Sequence, residues 1–164
     1  MDGVDIALLA LRLWTGIVMV AHGSNHLGSL DGTARWFAKV GFGAPKLNAR
    51  MSAYAEIAIG LGLVAGLATP VAAAGLAATM LVAFWAIHRH AGFFVFHRPN
   101  EGYEYVVTLA VAALVIALVG PGEVSVDSVL GLDWSGWLGA WIYLAGLVVA
   151  VAQLATFYRR PSQT

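Results

Sequence analysis

Cysteine is absent from all 164 residues. That excludes a dithiol redox couple, a thiolate metal site, a disulfide framework and a cysteine nucleophile within this chain. Any redox role must therefore use a bound cofactor or a partner. Charge is also scarce, with Asp, Glu, Lys and Arg making up 11% of the residues, against roughly 25% in ordinary soluble domains. Nine basic residues balance nine acidic ones, so no basic surface argues for nucleic acid. What fills the chain instead is apolar: 60% of residues are hydrophobic and mean hydropathy is +0.78. One water-soluble core cannot hide that much apolar surface, so the chain reads as an integral membrane protein. The first residues, MDGVDIALLA, carry aspartates where a signal peptide carries lysine or arginine. The first apolar segment is therefore expected to stay as a membrane anchor.

A helix needs about 20 mostly apolar residues to cross the hydrocarbon layer. Five segments qualify, at 4–26, 49–68, 70–91, 104–120 and 137–157. Backbone polar groups in lipid must be satisfied within their own segment, which makes all five helices. The expected fold is an all-α polytopic membrane bundle. LATP, between the second and third spans, reads as a tight hairpin with Pro70 in the first turn of the next helix. Small residues in IGLGLVAGLATPVAAAGLAA predict close packing of those two spans. Lysine and arginine favour the cytoplasmic side. Arg35, Lys39, Lys46, Arg50, Arg89, Arg98, Arg159 and Arg160 fall on one side of a five-span chain; Asp2, Asp5, Glu123, Asp127 and Asp133 fall on the other. This predicts the N-terminus outside and the C-terminus inside, with Trp134, Trp137 and Trp141 at the outer interface. GTARWFAKVG reads as a short amphipathic helix on the inner surface.

That topology gathers the polar residues. His22 and His26 lie near the inner end of the first span, and Glu56 about 10 Å into the second, at 1.5 Å per residue. His88 and His90 end the third span, and Glu101, Tyr103, Glu104 and Tyr105 begin the fourth. His97 falls on the same side. Residues 12, 16, 19, 23 and 26 share one helical face with His22 at its edge, and Ser52, Glu56 and Gly60 share another. Both faces should turn inward, because polar groups facing lipid are costly. The candidate site comprises Arg12, His22, Glu56, His88, Tyr103 and Glu104, with His26 expected at its rim. Arg12 either snorkels towards the outer headgroups or pairs with Glu56. The chemistry stays open between a quinone or similar polar head group, a metal with His22 and His26 as half its ligands, and haem held by His22 and His88. Each residue also has a structural alternative, as part of a polar network that fixes helix register.

The sequence resembles the DoxX family of small bacterial membrane proteins. The likeness rests on LRLWTGIVMVAHGSNHL, with Arg12 and His22–Gly23, and on WFAKVGFGAPKLNARMSAYAEIAIGLGLVAGLATPVAA. It continues through the phenylalanines at 93–94, GYEYVVTLAVAALVIALVGPG and VSVD, covering roughly residues 6–128. Members often carry lysine where this chain has His26. The resemblance implies a four-helix core at 1–128, followed at 129–164 by an outer loop, a fifth span and a short cytoplasmic tail. It implies the bacterial inner membrane and, from the family's namesake, a membrane subunit of an oxidoreductase complex, linked to quinone and to sulfur or oxidative-stress metabolism. Its partners would be the lipid bilayer and other oxidoreductase subunits. Related small membrane proteins act instead as scaffolds, assembly factors or chaperones. A transporter is a third reading, though no inverted repeat is visible.

Overall fold

The structure is a computed structural model that describes residues 1–96 and 101–160. Helix α1 spans Gly3–Gly28 and opens on a capping box. The Asp2 carboxylate accepts the Val4 and Asp5 amides at 2.8 and 3.0 Å, and Asp5 accepts the Asp2 amide at 2.9 Å. These contacts satisfy amides that a helix start leaves unpaired. Helix α2, Leu30–Val40, is the short amphipathic element that the sequence predicts. It buries Ala34 and Phe37 against Phe42 and Ala49 and leaves Arg35 and Lys39 exposed.

Helix α3 runs Pro45–Ala65 and stops at Gly66, whose φ of +65° suits a residue without Cβ. Helix α4, Thr69–Ala83, takes Pro70 in its first turn and passes into a π-helical turn at Phe84–His88. Helix α5 is Glu104–Val119, α6 the single turn Val126–Val129, and α7 Gly136–Phe157. Among the described residues there is no β-strand, only an isolated bridge between Phe42 and Tyr158.

Gly3–Gly28, Thr69–His88 and Gly136–Phe157 are long and apolar enough to cross a membrane; Glu104–Val119 is apolar but shorter. Helix α3 has 21 residues, and its apolar character is interrupted by Lys46, Arg50 and Glu56. It begins at Pro45 rather than at residue 49, because proline with its fixed φ starts a helix readily.

Glycines decide which helices touch. A Cβ on Gly16 would stand 2.7 Å from the Gly60 carbonyl oxygen, and one on Gly60 would stand 2.6 Å from that of Gly16. A Cβ on Gly23 would lie 2.7 Å from the Ala53 oxygen. Backbone therefore meets backbone between α1 and α3, which form the most extensive helix contact in the molecule. The close packing expected between α3 and α4 exists at Gly62–Ala72 and Gly75–Ile59, but it is secondary. The Gly60 stripe of α3 faces α1 instead.

Helix α4 packs against α5 and α7 around Leu63, Leu76, Met80, Leu109 and Ile116. Helix α7 lays Gly146 on the Ala74 backbone, and its Tyr143 hydroxyl donates to the Ala110 carbonyl at 3.1 Å. Its far end is tied to the α2–α3 turn: the Gly43 amide donates to Phe157 O, and the Arg159 amide to Gly41 O. Trp137, Trp141 and Val148 stay exposed on its outer face, where a bilayer would cover them.

Candidate functional site

At the α2 end of the bundle, α1, α2, α3, α4, the π-turn and the start of α5 enclose a cavity of about 610 Å³. Its walls are mainly apolar, with Met19, Met80 and Leu109 among them. The polar side chains set into them are His22, His26, Ser52, Glu56, Thr79, His88, Glu101 and Tyr105. Such a slot, apolar with a few convergent polar groups, is the usual form of a small-molecule site.

Glu56 is 4% exposed. The inward face of α3 carries it, and the α1–α3 glycine contact fixes the rotation of that face. The Ser52 hydroxyl, one turn earlier, donates to Glu56 Oε1. His26 Nε2 stands 3.7 Å from the same oxygen, and Glu56 Oε2 is buried without a hydrogen-bond partner. An orphaned carboxylate oxygen is expensive in an apolar surround. His26 in turn stacks on Trp36 of α2, ring centroids 6.4 Å apart. The amphipathic helix thus backs the histidine.

Another part of the wall is built by the π-turn, through Ala86, Ile87 and His88. The Arg89 amide donates back to Phe84 O at 2.9 Å, the i→i+5 pattern that often marks functional positions. His88 leaves that turn with its Nδ1 2.7 Å from the Glu101 carbonyl oxygen. Beside it the Arg89 guanidinium lies 4.0 Å over the Trp85 ring.

The structure thus brings together His22, Glu56 and His88 of the six expected residues. His22 and His26 exchange places: His22 is exposed on the rim, and His26 is the inner partner of Glu56. His26 shares the helical phase of buried Arg12, Gly16, Met19 and Gly23, so spacing already placed it inward.

Arg12 lies elsewhere. It is fully buried at the opposite end of the bundle, where Nη2 donates to the Val124 carbonyl and Gly66 lies against the guanidinium. Its electrostatic partner is Asp127, whose carboxylate accepts the Ala68 and Thr69 amides at 2.7 and 2.8 Å. Neither snorkelling nor a Glu56 pair describes it.

Tyr103 and Glu104 do not line the cavity. Tyr103 packs edge-on against Phe84 and Phe93, and Glu101 and Tyr105 take their places. The same alternation missed Thr79 of α4, whose hydroxyl donates to Gly75 O and so reads as ordinary helix. His90 is exposed, and His97 and Arg98 lie outside the described residues. Among the described residues no group of three or more His, Cys, Asp or Glu is placed to hold a metal ion.

An all-helical bundle with three helices suited to lipid, and a fourth close to it, is a multi-pass membrane protein. The DoxX family model matches residues 7–89, half of the chain, and the chain belongs to the DoxX family. The matched stretch holds His22, His26, Glu56 and His88 but ends before Glu101 and Tyr105. The chain is also similar to "Putative oxidoreductase CatD" of Bacillus subtilis (strain 168), 28% identical over 123 residues, which is 75% of this chain and 86% of that protein. No solved structure matches the chain.

Proposed function

We propose that this protein is a membrane subunit of a quinone-linked oxidoreductase complex in the bacterial inner membrane, and that the cavity at the α2 end receives the head group. One observation carries the reading: a buried carboxylate with an unpartnered oxygen, flanked by histidine, in an otherwise apolar slot. A quinone-type head group fits that lining, with a hydroxyl for Glu56 in its reduced form and an apolar ring for the walls. Bound there, it would supply two-electron redox chemistry to a chain without cysteine. The family membership and the name of the Bacillus subtilis relative point the same way.

Glu56 and His26 exchange the proton at the head group, and His22 on the rim passes it to water. Histidine suits this because it titrates near neutral pH. Residues 1–128 form the family core, and 129–164 add α7, which braces α4 and the α2–α3 turn. Five helices cross the bilayer, N-terminus outside, with the cavity on the cytoplasmic side where Arg35, Lys39, Lys46 and Arg50 gather. The sulfur and oxidative-stress setting follows from the resemblance alone.

Gentle extraction from native membranes, followed by mass spectrometry of what is retained, tests the reading. Oxidoreductase subunits and a quinone are the expected companions. An unrelated membrane client without any small molecule would overturn it in favour of an assembly factor. In the intact complex, Glu56→Gln should abolish quinone-dependent turnover at normal expression; unchanged turnover removes Glu56 from the proton route.

A further inference from the structure

The hydrogens of three cavity side chains are already committed within the protein. Ser52 gives its proton to Glu56, and Thr79 gives its proton to Gly75 O at 3.0 Å. His88 is the most informative of the three. Its Nδ1 partner is a carbonyl oxygen, Glu101 O at 2.7 Å, and a carbonyl can only accept. Nδ1 therefore carries the hydrogen, and in the neutral tautomer that this bond selects Nε2 is a bare lone pair. Glu56 lines the same cavity, and its Oε2 is without a partner; ionised, that oxygen also accepts. The hydroxyl of Tyr105, the indole N–H of Trp36 and one ring N–H each on His22 and His26 remain as donors on the lining.

We propose that His88 is a ligand-binding residue that accepts a hydroxyl hydrogen from the head group, and that the cavity selects the reduced, diol form of that head group over its quinone. This rests on the proposed quinone site and adds the redox form it holds. A quinone offers only acceptors and would set lone pair against lone pair at His88. A hydroquinone offers two O–H donors, one for His88 Nε2 and one for Glu56. The π-turn and the Glu101 carbonyl together act as the positioning device, because they fix which imidazole nitrogen bears hydrogen.

The test uses the full chain in lipid nanodiscs, with empty nanodiscs as the partition blank. Three anaerobic probes share one tail: decylhydroquinone, its dimethyl ether and decylbenzoquinone. The diol should bind about tenfold tighter than the other two, the worth of one well-made hydrogen bond. His88→Asn places an amide where Nδ1 was, keeping the bond to the Glu101 carbonyl while removing the acceptor from the cavity. It should lower the diol preference to what the Glu56 bond alone supplies, without lowering thermal stability or affinity for the ether. His88→Gln, which returns an acceptor near the Nε2 position, should restore part of the preference. Equal binding of all three probes, or a preference undiminished in His88→Asn, overturns the inference while leaving the quinone site standing. Binding of none of them above the blank overturns the quinone site itself and the inference with it.

Discussion

Arg12 is a cation buried in mid-helix that makes one hydrogen bond and leaves Nε and Nη1 without partners. The opposing charge that acts on it is the Asp127 carboxylate, which is not in ion-pair contact with it and holds the two amides that start α4. Removing Asp127 takes away the opposing charge and leaves the Ala68 and Thr69 amides unpaired, at a cost of about 1–3 kcal/mol for each buried group. Asp127→Ala should therefore lower the thermal stability of the detergent-solubilised protein by about 3 kcal/mol. Adding Arg12→Met should recover part of the loss, because the stranded charge goes while the two amides stay unpaired. Additive losses in the double variant would mean that the two side chains do not interact. A milder contact closes the loop before α7. The Ser135 hydroxyl and amide hold the Asp133 carboxyl below its ordinary range. A depressed carboxylate stabilises its turn above the unfolded pKa and loses that contribution as pH falls through the folded value. Ser135→Ala should move the Asp133 titration upward towards the ordinary carboxylate range, as read by NMR in micelles; an unmoved titration would take Ser135 out of the turn.

Between elements, the contact that positions Glu56 is the one between α1 and α3. Gly60→Val would drive a side chain into the Gly16 carbonyl and the backbone at Val20, 2.6 and 2.8 Å from the added Cβ. It should cost about 1–3 kcal/mol and widen the 3.7 Å separation of His26 and Glu56, seen as a fall in thermal stability together with weaker probe binding. Full binding at reduced stability would show that the site does not depend on this crossing. These glycines also explain how far the sequence could be read. Runs of apolar residues locate α1, α4, α5 and α7, because hydrocarbon demands continuous apolar length. The phase of residues 12, 16, 19 and 23 identifies the buried face of α1, and that of Glu56 and Gly60 the buried face of α3. Rotation at a helix start is another matter. Helix α5 begins at Glu104 out of an irregular loop, so periodicity cannot say whether Tyr103 or Tyr105 turns into the cavity. Arg12 was misplaced for a related reason: its partners, Val124 and Asp127, lie 112 or more residues along the chain, in a loop with no repeating pattern.

At the scale of the whole molecule, charge is sorted between two ends. One end holds the start of α1 and the loop around Glu123, joined where the Glu123 amide donates to Asp5 at 2.8 Å; Asp127 and Asp133 lie in the same connection. The other holds α2, the start of α3 and the end of α7, joined where the Arg159 amide donates to Gly41 O, and it carries Arg35, Lys39, Lys46 and Arg50. Because basic loops stay in the cytoplasm, the proposed orientation puts the cavity and its histidines inside and Arg12 with Asp127 outside. The missing cysteines make this directly testable, since any introduced thiol is the one thiol in the chain. Val129 is 85% exposed on the single turn α6, and Lys39 is exposed on α2. In intact cells with an opened outer membrane, a membrane-impermeant maleimide should label Val129→Cys at once and Lys39→Cys only after the inner membrane is permeabilised. The reverse pattern would turn the protein over, place the cavity mouth outside, and require the proposed proton exchange and partner subunits to be sought on that side.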